Sequence, residues 1–300
     1  MINKILILGA TGMLGHALFK HFLKNSNYVV YGTIRSRNNL DKFFNQDEQL
    51  KMISGVDADN FDSFINAFAI TQPDIVINCI GIIKHLPEAK DYYKSININS
   101  FLPHKLVKLC KIANARFIHI STDCVFDGKK GNYFETDNSN AEDLYGKSKY
   151  LGEVNYPNSI TLRTSIIGHE LNNNISLIDW FLTQQGTING YVNAIYTGFP
   201  TYEVANIIDK FVIPNHDLCG LYHLSSNPIS KYDLLELVKD KYNKNINVIK
   251  LDNFVLDRSL NSSKFQNQTG FRPKSWVQLV AEMHDKFMNY RFYDYKFKNY

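Results

Sequence analysis

Short apolar runs alternate with amphipathic stretches through the first half of the chain. Lys4–Leu8, Tyr28–Ile34, Leu50–Ser54, Asp74–Asn78, Arg116–Ser121 and Ser159–Arg163 read as strands. Between them, Leu14–Leu23, Phe61–Phe68, Phe101–Ala113 and Asp143–Val154 carry apolar residues at helical spacing. Strands that are apolar almost throughout, rather than at every second position, predict a parallel sheet covered on both faces. Right-handed crossovers then give an α/β fold with a doubly wound parallel sheet, whose ligands lie at the carboxyl ends of the strands.

After about residue 165 the rhythm loosens. Ile175–Gln184, Thr201–Phe211, Lys231–Tyr242 and Trp276–Tyr290 read as helices, with short strands at Tyr222–Leu224 and Asn247–Leu251. The expected division is a large domain of residues 1–165, rejoined by roughly residues 195–215, and a smaller mixed α/β domain from residues 166–194 and 216–300. The tail Tyr290–Tyr300 alternates aromatics with charges and reads as a docked or a frayed end.

Composition narrows the picture. At 300 residues and 44% hydrophobic, the chain is long enough to bury a sizeable core. A net charge of +4, with no Lys/Arg block interleaved with aromatics, gives a nucleic-acid partner little to bind. No apolar run approaches the ~18 residues of a membrane span. The apolar start Ile5–Leu8 is too short for a signal peptide, so the expected compartment is the cytoplasm. Four scattered cysteines (Cys79, Cys110, Cys124, Cys219) and nine scattered histidines offer neither a disulfide framework nor a metal site.

Gly9-Ala10-Thr11-Gly12-Met13-Leu14-Gly15 follows the first strand and opens the first helix. Glycines there allow a tight turn, close approach of backbone to a pyrophosphate, and close helix–strand packing. The helix N-terminus adds unsatisfied N–H groups, from Gly12, Met13 and Leu14, that point at phosphate. The large domain therefore reads as a Rossmann-type, NAD(P)-binding unit, and the smaller one as substrate-binding. At the end of the second strand no acid precedes Asp41; instead Arg35 and Arg37 are available for a ribose 2′-phosphate. NADPH is the expected cofactor, with NADH tolerated. Asp57, after the third strand, suits an adenine amino group, and Asn78-Cys79-Ile80-Gly81 would line the cofactor's central portion.

Tyr145 and Lys149 are four residues apart and share a helix face. An ammonium about 5 Å from a phenol favours phenolate by roughly 3 kcal/mol, or about two pKa units, towards the range useful for general acid–base work. Ser121-Thr122-Asp123 ends the fifth strand on the same edge as the glycine loop. Either hydroxyl could bond the oxygen that Tyr145 protonates, and Thr122 is the preferred one.

Glycine loop, Ser121-Thr122-Asp123 and Tyr145-x-x-x-Lys149, in this order, resemble the extended short-chain dehydrogenase/reductases. More narrowly, Ser121-Thr122-Asp123-Cys124-Val125-Phe126-Asp127-Gly128 resembles the S-T-D-Y-V-F-D-G segment of the dTDP-4-dehydrorhamnose reductase family. Leu162-Arg163-Thr164-Ser165 resembles its R-T-S segment, and Arg258–Phe265 with Gly270 and Trp276 its closing motif. The likeness is strong to about residue 165 and weaker beyond.

This resemblance implies NADPH-dependent reduction of the C4 keto group of a nucleotide-linked 4-keto-6-deoxyhexose, for a bacterial surface polysaccharide or glycan. Tyr145 would donate the proton, Thr122 orient the carbonyl, and Lys149 hold the nicotinamide ribose. Asp123, Cys124, Phe126 and Ile166 would line the sugar, with Lys84, His85 and Arg258 as candidates for its phosphates or hydroxyls. Cys124 and Ile166 stand where the rhamnose-pathway enzymes usually have Tyr and often have Trp, so a UDP-linked 2-acetamido sugar is a rival substrate. Related dehydratases place an acid at the position of Cys124, which favours simple reduction here. The same resemblance leaves two alternatives: an epimerase or dehydratase that recycles its cofactor, and a regulatory subunit without chemistry. It also suggests a homodimer packed through Phe101–Ala113 and Tyr145–Val154.

Overall fold

Ile5, Leu6, Ile7 and Leu8 are wholly buried, so the first strand has no solvent face. Ile5 and Ile7 join one hydrophobic core and Leu6 and Leu8 another, as side-chain alternation across a pleated strand demands. The computed structural model describes residues 3–289. It places this strand, β1 (Asn3–Leu8), among seven, with β2 (Tyr28–Ile34), β3 (Met52–Ser54), β4 (Ile75–Asn78), β5 (Arg116–Thr122), β6 (Ser159–Thr164) and β7 (Gly220–His223). Their order is β7-β6-β5-β4-β1-β2-β3, and every pairing is parallel. The order reverses between β1 and β4, which opens a crevice at their carboxyl ends.

Helices cover both faces. Leu14, Leu18, Phe19 and Phe22 of α1 (Met13–Leu23) enter one core. Phe64, Ala67 and Phe68 of α2 (Phe61–Thr71) enter the other with Leu102, Leu106 and Val107 of α3 (Leu102–Ile112). The helical run into α3 starts earlier than its apolar pattern, through Tyr92–Ser95 and a wide π turn at Ile96–Phe101. The fourth crossover helix, α4 (Leu144–Leu151), carries the Tyr/Lys pair. Leu50 ends a short helix, Gln46–Leu50, rather than starting β3, because Asn45 and Glu48 close a capping box over its first turn.

The domain boundary expected at residue 215 needs correction. Gly220–His223 does not join the smaller unit; it pairs with Ile160–Arg163 and forms the edge strand of the large sheet. Four residues carry too little pattern to reveal a partner 60 positions away. The returning helix α6 (Thr201–Ile207), which follows α5 (Leu177–Thr183), packs on α1.

The smaller unit contains α7 (Lys231–Lys241), α8 (Ser263–Thr269), α9 (Trp276–Met288) and two small sheets. One pairs Thr187–Tyr191 with Asn247–Leu251; the other sets Ala194–Tyr196 between Ile229–Ser230 and Leu256–Asp257. Tyr290 and the rest of the aromatic tail lie outside the described residues. Among the described residues no helix is long and apolar enough to cross a membrane.

Below the carboxyl edge of β5 and β6 lies a buried ion pair. Arg163 Nε donates to Glu153 Oε1 and Nη2 to Oε2, both at 2.7 Å, and Ser121 Oγ donates to the same carboxylate at 2.7 Å. The Arg163 guanidinium also rests 5.2 Å from the Phe126 ring centroid. With side chains only 2% and 9% exposed, neither charge can turn to water instead. Glu153→Ala is therefore expected to cost roughly 3–5 kcal/mol in urea unfolding, because it leaves the guanidinium buried and unpaired. A loss below about 1 kcal/mol would contradict this account.

Candidate active site

Gly9, at φ +82°, turns the chain out of β1 in a conformation that L side chains resist. Thr33 of β2 fixes the turn: its hydroxyl accepts from Gly9 N–H at 3.0 Å and its carbonyl from Ala10 N–H at 2.9 Å. A Cβ on Gly15 would collide with the Gly9 carbonyl oxygen, so only glycine lets α1 lie this close to the loop. Gly12 caps α1 with no side chain and is exposed, and Thr11 and Met13 are partly exposed. The loop thus offers open amides at a helix N-terminus, which fits the pyrophosphate of a dinucleotide. The Leu14 side chain belongs to the core, so only its backbone faces this site.

The two arginines after β2 part company. Arg37 donates to the carbonyls of Gln49 (3.2 Å) and Met52 (2.8 Å), which ties it to β3, while Arg35 is exposed. Asp57 is exposed, and its carboxylate accepts the Asp59 N–H at 3.0 Å. Across the crevice, buried Asn78 accepts from Ile80 N–H at 3.1 Å and contacts His119 Nδ1 at 3.2 Å. Cys79, its thiol pushed up to about 12 by burial, and Gly81 complete this wall.

The chemistry sits where α4 presses on the turn after β5. Asp143 caps the helix by accepting Gly146 N–H at 2.7 Å. A Cβ on Gly146 would collide with the Cys124 carbonyl, so glycine sets the distance of approach. Tyr145 in this first turn hydrogen-bonds Thr122. Thr122 also donates to Asp123 Oδ1 at 3.1 Å and accepts from Cys124 N–H at 3.1 Å. Ser121 is spoken for by Glu153. Of the two hydroxyls, Thr122 is the one at the phenol.

The expected effect of Lys149 on Tyr145 is not found. The groups acting most strongly on the phenol are burial, Cys124, Thr122, Asp123 and Asp143, and burial pushes it well above its usual range. Lys149 instead turns its ammonium to the Ile120 carbonyl at 2.8 Å. Burial brings that amine down to about 8, against the pull of Glu153 and Cys79. Tyr145 is consequently protonated at neutral pH, the state from which a phenol donates.

On the substrate side, Arg258 donates from Nε to the Phe126 carbonyl at 2.8 Å and from Nη1 to Cys124 Sγ at 3.7 Å. Lys84 pairs with Asp143 at 2.7 Å on the rim; His85 is exposed, and Ile166 is partly buried beside Phe199. Asp123 is buried, which raises its carboxyl, while Arg258 opposes that rise. Phe126 is the correction here. Its side chain is wholly buried and stacks on Tyr133 at 4.1 Å, so only its carbonyl serves the site.

Three residues at the site escaped sequence reasoning. Asn99, in the π turn, grips the backbone of Ile82 at both N–H (2.8 Å) and carbonyl (3.1 Å) and donates to Ser148 at 3.2 Å. It thereby fixes the wall after β4 against α4. Tyr196 and Lys231 approach Asp123 from the smaller unit. Only the polar residues within the apolar pattern around Ile96–Ser100 hinted at Asn99; nothing in the sequence hinted at the other two.

A doubly wound parallel sheet, with a glycine loop at its switch point and a Thr–Tyr–Lys set on the same edge, defines an extended short-chain dehydrogenase/reductase. Within that class the chain belongs to the family described as the RmlD substrate binding domain, which matches residues 3–289. It is 29% identical to the dTDP-4-dehydrorhamnose reductase of Aggregatibacter actinomycetemcomitans, over 93% of this chain and 98% of that protein. It is also 29% identical to methionine adenosyltransferase 2 subunit beta of Danio rerio, over 80% of this chain and 74% of that one. The crystal structure of dTDP-4-dehydrorhamnose reductase from Bacillus anthracis in complex with NADP shares the fold, with a TM-score of 0.77 at 20% identity. The match covers 95% of this chain and 100% of that one.

The depressed Lys149 amine has a consequence for stability. Between about pH 8 and its ordinary value of 10.5, the unfolded chain holds a proton that the folded protein has released. Stability therefore rises with pH across that window, by about 3 kcal/mol in all. Urea unfolding of wild type and Lys149→Met should diverge by that amount, in favour of wild type, between about pH 7 and pH 10.5. A pH-independent difference would show that the amine titrates normally.

Proposed function

We propose that this protein is an NADPH-dependent reductase of the C4 keto group of a nucleotide-linked 4-keto-6-deoxyhexose, acting in the cytoplasm in the synthesis of a bacterial surface polysaccharide or glycan. The observation that carries the reading is a protonated Tyr145 phenol, hydrogen-bonded to Thr122, beside the open glycine loop. Similarity to the Aggregatibacter reductase over nearly the whole of both chains supports the substrate class.

NADPH, when bound, supplies the hydride. The amides of Met13 and Leu14 at the start of α1 would hold its pyrophosphate, Lys149 its nicotinamide ribose, and Arg35, the arginine left unengaged by β3, its 2′-phosphate. Thr122 positions the keto oxygen against Tyr145. As negative charge develops there, Tyr145 gives up its proton to that oxygen.

Cys124 favours reduction over dehydration. Burial and Asp123 push its thiol up to about 12, so it has no charge at neutral pH, and it replaces the acid that elimination of water uses. The likeness to methionine adenosyltransferase 2 subunit beta favours a second reading, a non-catalytic subunit. The complete Thr122/Tyr145/Lys149 set weighs against it. Exposed Tyr93 (78%) and Phe101 (58%), in the helical run that leads into α3, and Leu151 (59%) of α4 support a homodimer through those helices.

Oxidation of NADPH by dTDP- and UDP-linked 4-keto-6-deoxysugars, generated in situ, tests the reading. Tyr145→Phe is expected to lower kcat by about 10²–10⁴-fold and to leave NADPH affinity within about twofold, because the phenol is asked for a proton rather than for cofactor binding. A Phe variant as fast as wild type would sink the mechanism. Silence of the wild type on every sugar, with NADPH still bound, would favour the non-catalytic reading.

A further inference from the structure

Stability alone rarely accounts for a buried ion pair, because two apolar side chains of similar volume hold a fold about as well. Arg163 and Glu153 are joined by two bonds of 2.7 Å beside the catalytic set, so their dehydration calls for another use. Both are held from several sides. Ser121 Oγ adds a third bond to Glu153, and Arg163 Nη1 meets His223 Nε2 at 3.3 Å. His223 is wholly buried, and its Nδ1 donates to the Tyr133 carbonyl at 3.0 Å. A carbonyl can only accept, so the ring proton sits on Nδ1 and the Nε2 lone pair faces the guanidinium. Burial and Arg163 push this imidazole down to about 3, which keeps it a neutral acceptor.

Lys149 lies four residues before Glu153, and both reach the same strand. Its Nζ donates to the Ile120 carbonyl, while Glu153 accepts from the hydroxyl of Ser121, the next residue of β5. Yet the two charges do not meet. Lys149 is only 6% exposed and forms no ion pair among the described residues. Glu153 therefore acts on the amine through space and favours its charged form. Cys79 and His119, which also interact with Lys149, are both kept neutral by burial. An ammonium has three N–H donors, and Ile120 takes one. A Cβ on Gly81 would lie 3.9 Å from Lys149 Nζ, so the ammonium borders the wall that lines the crevice. A carboxylate free to turn would pair with it and occupy the remaining donors.

We propose that Arg163 is a positioning residue that locks Glu153, with support from His223 and Ser121, and so holds the carboxylate off Lys149 and leaves the ammonium two donors for the cofactor. This role rests on the reading of Lys149 as the residue that holds the nicotinamide ribose. Glu153 stays close enough to favour the charge and too firmly bound to capture it.

Two measurements on wild type, Arg163→Met and Glu153→Met/Arg163→Met test the proposal. One is NMR titration of the Lys149 amine in protein labelled at lysine Cε; the other is calorimetric binding of NADP⁺ at pH 6. In Arg163→Met the freed carboxylate pairs with Lys149. The amine midpoint should rise by about one pH unit or more, and NADP⁺ should bind about tenfold more weakly. In the double variant no carboxylate remains, so the midpoint should fall about one unit below wild type. The amine is still charged at pH 6 with its donors free, and NADP⁺ affinity should return to within about threefold of wild type. A purely structural pair predicts the reverse, with the double variant binding no better than the single one. Should Arg163→Met fail to fold, Arg163→Lys, which loses one of the two bonds, should show the same changes at smaller size. Midpoints that move the same way in both variants, or an affinity that the second substitution does not restore, overturn the proposal. Unchanged NADP⁺ affinity in Lys149→Met would instead remove the ribose reading, while the midpoints still decide whether Arg163 restrains Glu153.

Discussion

Glu153 accepts two hydrogen bonds from Arg163 on β6 and one from Ser121 on β5, and its charge holds up the Lys149 ammonium four residues before it. Two neighbouring strands and the helix that carries the Tyr/Lys pair are thus fixed to one buried carboxylate. The arrangement is costly to dehydrate and stays in place because every oxygen and the guanidinium have partners. It leaves Thr122, the next residue along β5, free to meet Tyr145. The division of labour between adjacent hydroxyls follows from side-chain alternation: Ser121 points beneath the sheet edge and Thr122 towards the helix.

Burial sets the acid–base state of the site more than charge pairing does. The Tyr145 phenol, the Cys124 thiol and the Cys79 thiol are all pushed up, and the Lys149 amine is pushed down to about 8. Each shift favours the neutral form, as a poorly hydrated environment requires. A neutral phenol suits carbonyl reduction, in which the donor must hold its proton until the oxygen turns basic. A Lys149 amine near 8 retains its charge at neutral pH only because Glu153 and the Ile120 carbonyl support it.

Close backbone approach is the second recurring device. Gly15 against the Gly9 carbonyl, Gly146 against the Cys124 carbonyl and Gly152 against the Asn99 carbonyl each mark a contact that a methyl group would block. The first brings a helix N-terminus to the phosphate loop, the second brings Tyr145 to Thr122, and the third locks α4 to the π turn. Of these, only the glycine loop announces itself in the sequence, because its three glycines recur at fixed spacing after a strand. Gly146 and Gly152 look like ordinary breaks in helix propensity until their partners are known.

The sequence by itself determined the doubly wound sheet, the glycine loop after the first strand, and the Thr122, Tyr145 and Lys149 set, since each is written in local periodicity or short spacing. Tertiary structure alone decided the rest. It placed Gly220–His223 in the large sheet, tied Arg37 to the Gln49 and Met52 carbonyls, and sent Phe126 into the core. It turned Lys149 towards Ile120 instead of the phenol, and it carried Tyr196 and Lys231 to Asp123. These outcomes depend on which atoms lie near one another after folding, and on how much water that packing removes. Residues tens of positions apart share no local pattern, so no spacing along the chain encodes their meeting.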